Sequence, residues 1–187
     1  MIQELIVTTQ TLAGETHLAP MGIHLSGDEI IILPFKPSTT LNNILETKVA
    51  VLNYSDDVRV FAGCLTGRRT WPLQAAEVIK GHLLACALAH TELELVRIED
   101  DETRPKLFCK AVHSANHAPF KGFNRAQYAV LEAAILISRL KWLPMEKIAA
   151  EIAYLRIGLE KTAGDRELEA WSWLMTVIDE YQAEQSL

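Results

Sequence analysis

The 187-residue sequence carries only three cysteines, Cys64, Cys86 and Cys109, each more than twenty residues from the next and none in a CxxC pair. That spacing offers no zinc knuckle and no thiol-exchange pair, and an odd count argues against a disulfide framework. Reduced thiols in a cytoplasmic protein are expected. There is no basic surplus: 18 Lys and Arg face 24 acids, a net charge of −6. Glu160 to Leu187 holds most of the excess, with seven acids against two bases. Nucleic-acid binding, which needs a concentrated positive face, is therefore not expected. No uncharged apolar run approaches the roughly 20 residues of a membrane span, and MIQELIVTT has Glu4 and no basic flank, so a soluble, unexported chain is expected. Dinucleotide, P-loop, hydrolase-elbow and zincin motifs are all missing. Gly63-x-x-x-Gly67-Arg-Arg-Thr70 resembles a phosphate loop only loosely and is one residue short. Arg68-Arg69 reads as a solvated loop.

What is present is an ordinary globular composition, 49% hydrophobic and 22% charged, of a length that suits one domain with a small appendage. Over the first 116 or so residues, short aliphatic and β-branched runs alternate with turn signals. Strands are expected at Glu4–Thr9, Leu18–Leu25, Glu29–Phe35 and Lys48–Tyr54, with turns at Ala13-Gly14 and Ser26-Gly27-Asp28. Glu92–Ile98 and Lys106–Val112 predict a hairpin with a polar, exposed edge. Two short helices fit between strands: one capped by Ser38 or Thr39, with Leu41, Ile44 and Leu45 inward, and one capped by Asp56, with Val58, Phe61 and Leu65 on one face. Gly67 to Gly81 has no clean period.

From Asn124 the period becomes helical. Asn124 caps a helix through about Lys141, and Pro144 opens a second carrying Met145, Ile148, Ile152, Leu155 and Leu159. Gly164 breaks it, and Asp165 caps a third with Leu168, Trp171, Met175, Ile178 and Tyr181 inward. The expected class is α+β: an antiparallel barrel over residues 1–120 and a helical subdomain over 121–187.

Few residues suggest chemistry. His113 and His117 have i, i+4 spacing, but they follow a strand with no nearby carboxylate or cysteine to complete a shell, so an exposed or loop-bound pair is expected and no metal site. His17 and His24 lie an odd number apart on one strand and point to opposite faces. The Ser38-Thr39-Thr40-Leu41-Asn42-Asn43 segment, with Lys36 beside it, offers hydroxyls and helix-start amides of the kind that hold a phosphate monoester. Ala19-Pro20-Met21-Gly22 removes a backbone donor and a side chain from mid-strand, which lets a flat ligand approach the backbone. An edge strand with a bulge and an ordinarily capped helix explain the same residues equally well.

The series ELIVTT, Gly14, Ala19-Pro-Met-Gly22, Ser38-Thr-Thr-x-Asn42, Leu52-Asn-Tyr-x-Asp-Asp57, Phe61-Ala62, Gly122-Phe-Asn-Arg-Ala-Gln127, Glu132, Ser138-Arg-Leu140 and Lys161-Thr-Ala-Gly164 resembles domain-of-unknown-function family 447 over nearly the whole chain. The resemblance implies the split-barrel fold of flavin reductases and flavoredoxin-like proteins, dimerisation, and one FMN at each subunit interface. It assigns the phosphate loop to Ser38, Thr39, Thr40 and Asn42, with Lys36 as neutralising base. It also assigns the strand along the isoalloxazine ring to Ala19, Pro20, Met21 and Gly22, and the strand beside it to Thr8 and Thr9. Arg125 would reach a ligand or pair with Glu132, the pairing being favoured. His17 stands where the family more often has asparagine.

The function so implied is that of an FMN-dependent oxidoreductase acting on a small molecule, a pterin-linked one-carbon compound among the candidates, with no side chain assigned as acid or base. The alternative is a non-catalytic flavin- or ligand-binding protein whose acidic helical tail docks a partner through an exposed Trp173.

Overall fold

The computed structural model describes residues 1–27 and 29–185, so Asp28 of the expected turn lies outside the described residues. The chain divides into two compact units, Met1–Ser55 with Thr70–Phe120, and Asp56–Arg69 with the chain from Lys121 onward. The helical unit thus takes in the segment 56–69 as well as the residues beyond 120.

In the first unit, β1 (Ile2–Gln10), β2 (Thr16–Ser26), β3 (Glu29–Ile32), β4 (Val49–Tyr54), β7 (Ala89–Glu99) and β8 (Lys106–Asn116) form a closed antiparallel barrel in the order β1-β2-β3-β8-β7-β4, with β4 closing on β1. α1 (Thr39–Thr47) precedes β4, and a separate hairpin of β5 (Leu73–Ala75) and β6 (His82–Leu84) occupies the segment that showed no period. The barrel interior is set by period-two alternation: Leu5, Val7, Ile23, Ile32, Ala50, Leu52, Leu93 and Leu107 are buried together, joined by Leu41 and Ile44 of α1. Each of the buried leucine, isoleucine and valine side chains contributes about 1.5–3 kcal/mol of burial.

Three strand expectations are corrected. β3 stops at Ile32, two residues short of Pro34, which has no N–H to give a ladder. The β7–β8 hairpin is longer than its alternating core, and its strands are edges over only part of their length: β7 pairs with β4 from Ala89 to Glu94, and β8 pairs with β3 from Leu107 to Cys109. Its far end is exposed and polar, where Arg97 bridges Glu29 and Glu99, and Lys110 pairs with Glu94 further along.

The outer face of the barrel wall carries an unusual buried polar stripe. Register places Thr8 opposite Val51, Val51 opposite Glu92 and Asn53 opposite His90, so all share one face. Thr8, Asn53, His90 and Glu92 are each almost fully buried there, and several of them hold the β5–β6 hairpin by its backbone. The Thr8 hydroxyl donates to the His82 carbonyl, and Asn53 Oδ1 accepts from Leu84 N at 2.7 Å. The Glu92 carboxylate accepts from the amides of Glu77, Val78 and Ile79 at 2.6, 2.9 and 2.8 Å.

In the second unit, α2 (Arg59–Leu65), α3 (Arg125–Ile137), α4 (Met145–Thr162) and α5 (Asp165–Gln185) enclose a core that includes Ala133, Ile148, Leu159, Trp171 and Leu174. Asn124 caps α3 as expected, its Oδ1 accepting from Ala126 N and Gln127 N, but the helix ends at Ile137, followed by turns. Two other helix starts are corrected, and the N-cap of α2 is Val58, with no side-chain cap bond. Asp57 rather than Asp56 accepts from Arg59 N, and Gly164 stands at the start of α5, its N–H donating to Glu167 Oε2, so Asp165 is the first helical residue. Leu168, expected inward, is half exposed. Among the described residues, no helix is long and apolar enough to cross a membrane.

Candidate functional site

β2 is paired with β1 from Thr16 to His24, but β3 covers only His24 to Ser26. Among the described residues, 16–23 therefore have no partner strand on their second side, a split in the wall. Within this stretch Ala19, Pro20, Met21 and Gly22 are half-buried, which leaves backbone at the split within reach of a ligand. Proline is tolerated there because only one side of the strand must supply a ladder. Gly22 has a packing reason of its own: a Cβ at this position would lie 3.0 Å from Ile2 Cγ2 and 3.1 Å from Glu4 Oε1.

α1 begins immediately after an extended Ser38, whose Oγ accepts from Leu41 N at 3.2 Å. The amides of Thr39 and Thr40, in the first turn, have no intrahelical acceptor and point out of the helix start, where the helix dipole favours an anion. Thr39 is exposed, whereas Thr40 is buried. Asn42 is exposed, and its neighbour Asn43 is the buried asparagine, donating to Thr9 Oγ1 at 3.1 Å. Lys36 lies two residues before the cap and pairs with Asp100, whose carboxyl the ammonium holds below its usual range. A ligand phosphate would compete with that exposed acid for Lys36. Thr8 and Thr9 belong to the framework of the site: both are buried and their hydroxyls are engaged, Thr8 with His82 and Asn53, Thr9 with Asn43.

The first unit therefore offers a split strand edge and a helix start with hydroxyls and a lysine. Models of the protein family of unknown function DUF447 match this chain over residues 3–118, as its N-terminal domain, and over 124–176. The chain belongs to the DUF447 family. An FMN-bound DUF447 protein from Methanosarcina mazei superposes with a TM-score of 0.82 at 22% identity, covering 94% of each chain. A 2-nitrobenzoate 2-nitroreductase from Pseudomonas fluorescens aligns at 0.54 and 20% identity, over 61% of this chain and 64% of that one. A putative flavin reductase from Haemophilus somnus aligns at 0.51 and 15% identity, over 61% and 80%. These likenesses establish the split-barrel fold of flavin reductases. No curated protein matches the chain in sequence.

Other expected features of this DUF447 chain change on inspection. Arg125 opens α3 with an exposed side chain, and among the described residues no ion pair joins it to Glu132. Gly63 lies inside α2, and Gly67 takes a φ of +79° just past its end, where Arg68 N donates to Gly63 O. The segment 63–70 is thus a helix C-terminus, which presents carbonyls and repels phosphate. Arg68 is more than a solvated loop residue: its guanidinium lies 4.4 Å from the ring centroid of Trp173, and Trp173 is half-buried against the helical core. This removes the expected exposed anchor of the helical tail. Cys64, Cys86 and Cys109 are all unbridged, and burial pushes Cys109 up to about 12.

His113 and His117 are also not the isolated pair expected. His113 sits within β8, opposite Glu92, with Glu77 Oε2 at 3.4 Å, and His117 Nε2 is 2.8 Å from His90 Nδ1. The carboxylates and the third histidine come from segments 21 or more residues away in the chain, which sequence proximity could not reveal.

Proposed function

We propose that this protein binds FMN and acts as an oxidoreductase on a small molecule. The observation that carries the reading is the coexistence, in one unit, of a β2 edge left open by β3 and an α1 start whose first amides, with Thr39 Oγ1 and Lys36, can accept an anion. A flavin mononucleotide asks for both, a phosphate site and a polar backbone edge for its ring, so the residues present fit the group. The FMN-bound DUF447 relative with the same fold supports the same reading.

FMN, when bound, supplies the hydride or electron transfer that no side chain here provides. The chain's part is to hold it. Thr39 and Thr40 would donate to the phosphate, with Ser38 fixing the helix start and Lys36 balancing the charge. Backbone groups of Ala19, Pro20, Met21 and Gly22 would line the ring, and fixed amides near it favour a reduced, anionic ring over the oxidised one. A second copy of the chain would complete the site, in keeping with the half-exposed 19–22 stretch and the exposed Ile2 and Phe35. Pterin-linked one-carbon compounds are one substrate class to assay.

The test is an absorbance spectrum of purified protein before and after denaturation, and again with added FMN. Flavin bands that shift on release, together with a dimer mass by light scattering, are expected. A colourless protein that takes up no FMN overturns the reading.

A further inference from the structure

On the outer face of the barrel, β7 and β8 bring together a group of side chains that the flavin reading does not use. His90 and Glu92 are two residues apart on β7. His113 lies directly opposite Glu92, and an extra residue in β8, Val112, makes a bulge at that point, between Glu92 and Leu93. Bulges re-aim side chains, and here the bulge flanks the histidine. Glu77, from the segment between β5 and β6, comes over the same face because Glu92 binds its amide. Glu77, His90 and His113 each offer one ligand atom, and these atoms all lie within 4.8 Å of one another.

We propose that Glu77, His90 and His113 form a binding site for a divalent transition-metal ion of the Zn²⁺ type. His113 Nε2 is buried and has no hydrogen-bond partner among the described residues. Its separation from Glu77 Oε2, 3.4 Å, is not a hydrogen bond by geometry. It matches the spacing of two ligands on one tetrahedral ion, which bonds of about 2.0–2.2 Å set at about 3.4 Å. The two ring nitrogens of His90 are both provided for, Nε2 lying 3.2 Å from Glu92 Oε1 and Nδ1 2.8 Å from His117 Nε2. Whichever nitrogen binds the ion, the other keeps a partner that orients the ring, as the outer shell of a metal site requires. Glu92 is itself fixed by three amides.

Two imidazoles and one carboxylate select a borderline ion over Mg²⁺ or Ca²⁺, which prefer oxygen ligands throughout. Three protein ligands leave a fourth position for water, and the exposed Glu77 sets the site at the protein surface.

The experiment is calorimetric titration of the chelator-treated, tag-free full-length protein with ZnCl₂, and separately with MgCl₂. One Zn²⁺ per chain is expected, with no Mg²⁺ binding. Glu77→Gln and His113→Ala should each weaken Zn²⁺ at least about tenfold, the scale on which ligand-shell losses act, while His24→Ala, on another strand, should not. Glu77 is exposed, so its variant keeps the test decisive if His113→Ala fails to fold. An absence of saturable 1:1 binding, or ligand variants that bind as tightly as the parent, overturns the proposal.

Discussion

The two faces of the β1–β4–β7 wall are built on opposite principles. The inner face is aliphatic: Leu5, Val7, Leu52 and Leu93 fill space, and any of them can be exchanged for a side chain of similar volume at modest cost. The outer face is just as buried but polar, and Thr8, Asn53 and Glu92 are tied to particular backbone groups of the β5–β6 hairpin. An apolar wall tolerates change by repacking. A buried polar stripe does not, because removing one partner strands the other without water.

The largest break should come at Glu92. Glu92→Ala leaves three amides and His90 without their acceptor and should cost about 3–5 kcal/mol, measured by denaturant unfolding, well above the under about 1.5 kcal/mol expected of Leu52→Met on the inner face. Because the folded pKa of Glu92 lies below its unfolded value, its contribution is complete above the unfolded pKa and is lost as pH falls through the folded one. Stability of the parent should therefore drop more steeply with acid than that of Glu92→Gln. Asn53→Ala is next. It removes the acceptor of Leu84 N and the donor to Ile6 O and should cost about 2–3 kcal/mol, with faster proteolysis in the 70–84 segment.

In the second unit, Asp57 is buried and forks onto Arg59 through two bonds, of 2.9 and 2.7 Å. Asp57→Ala should lower its stability by about 2 kcal/mol, because among the described residues Arg59 then keeps only Glu169 as an ion-pair partner. The smallest effect belongs to the exposed Lys36–Asp100 pair. Lys36→Ala should leave the melting temperature unchanged within error and show itself only in ligand affinity.

The same contrast explains what was legible in the sequence. Alternation and turn residues reveal the inner face, the approximate positions of the barrel strands and the capped helices at Ser38 and Asn124, since each is a local signal. The outer stripe is invisible to alternation, because its buried polar residues read as solvent-facing. Glu92 looks like the exposed phase of an alternating run until strand register sets it under three amides. Ending the hairpin strands at 92 and 112 also drops His90 and His113 from β7 and β8, so a boundary error of a few residues hides two side chains that share a face with Glu92. The β5–β6 hairpin is missed because two three-residue strands carry no measurable period. At the candidate flavin site the helix start was legible, but the roles within it were not. Asn42 and Asn43 differ only in which side of α1 they occupy, and the hydroxyls of Thr8 and Thr9 are committed to partners from distant segments.

The most direct test asks whether the start of α1 holds the phosphate of FMN. Thr39→Pro removes one amide donor and one hydroxyl at a first helical position that tolerates proline, after a Ser38 already in the extended conformation proline requires. FMN fluorescence titration of the parent should show saturable quenching at one flavin per chain, and Thr39→Pro should weaken it at least about tenfold with an unchanged melting temperature, as expected for losing a charge-assisted donor. Equal affinity in the two proteins would place the phosphate elsewhere and contradict the account.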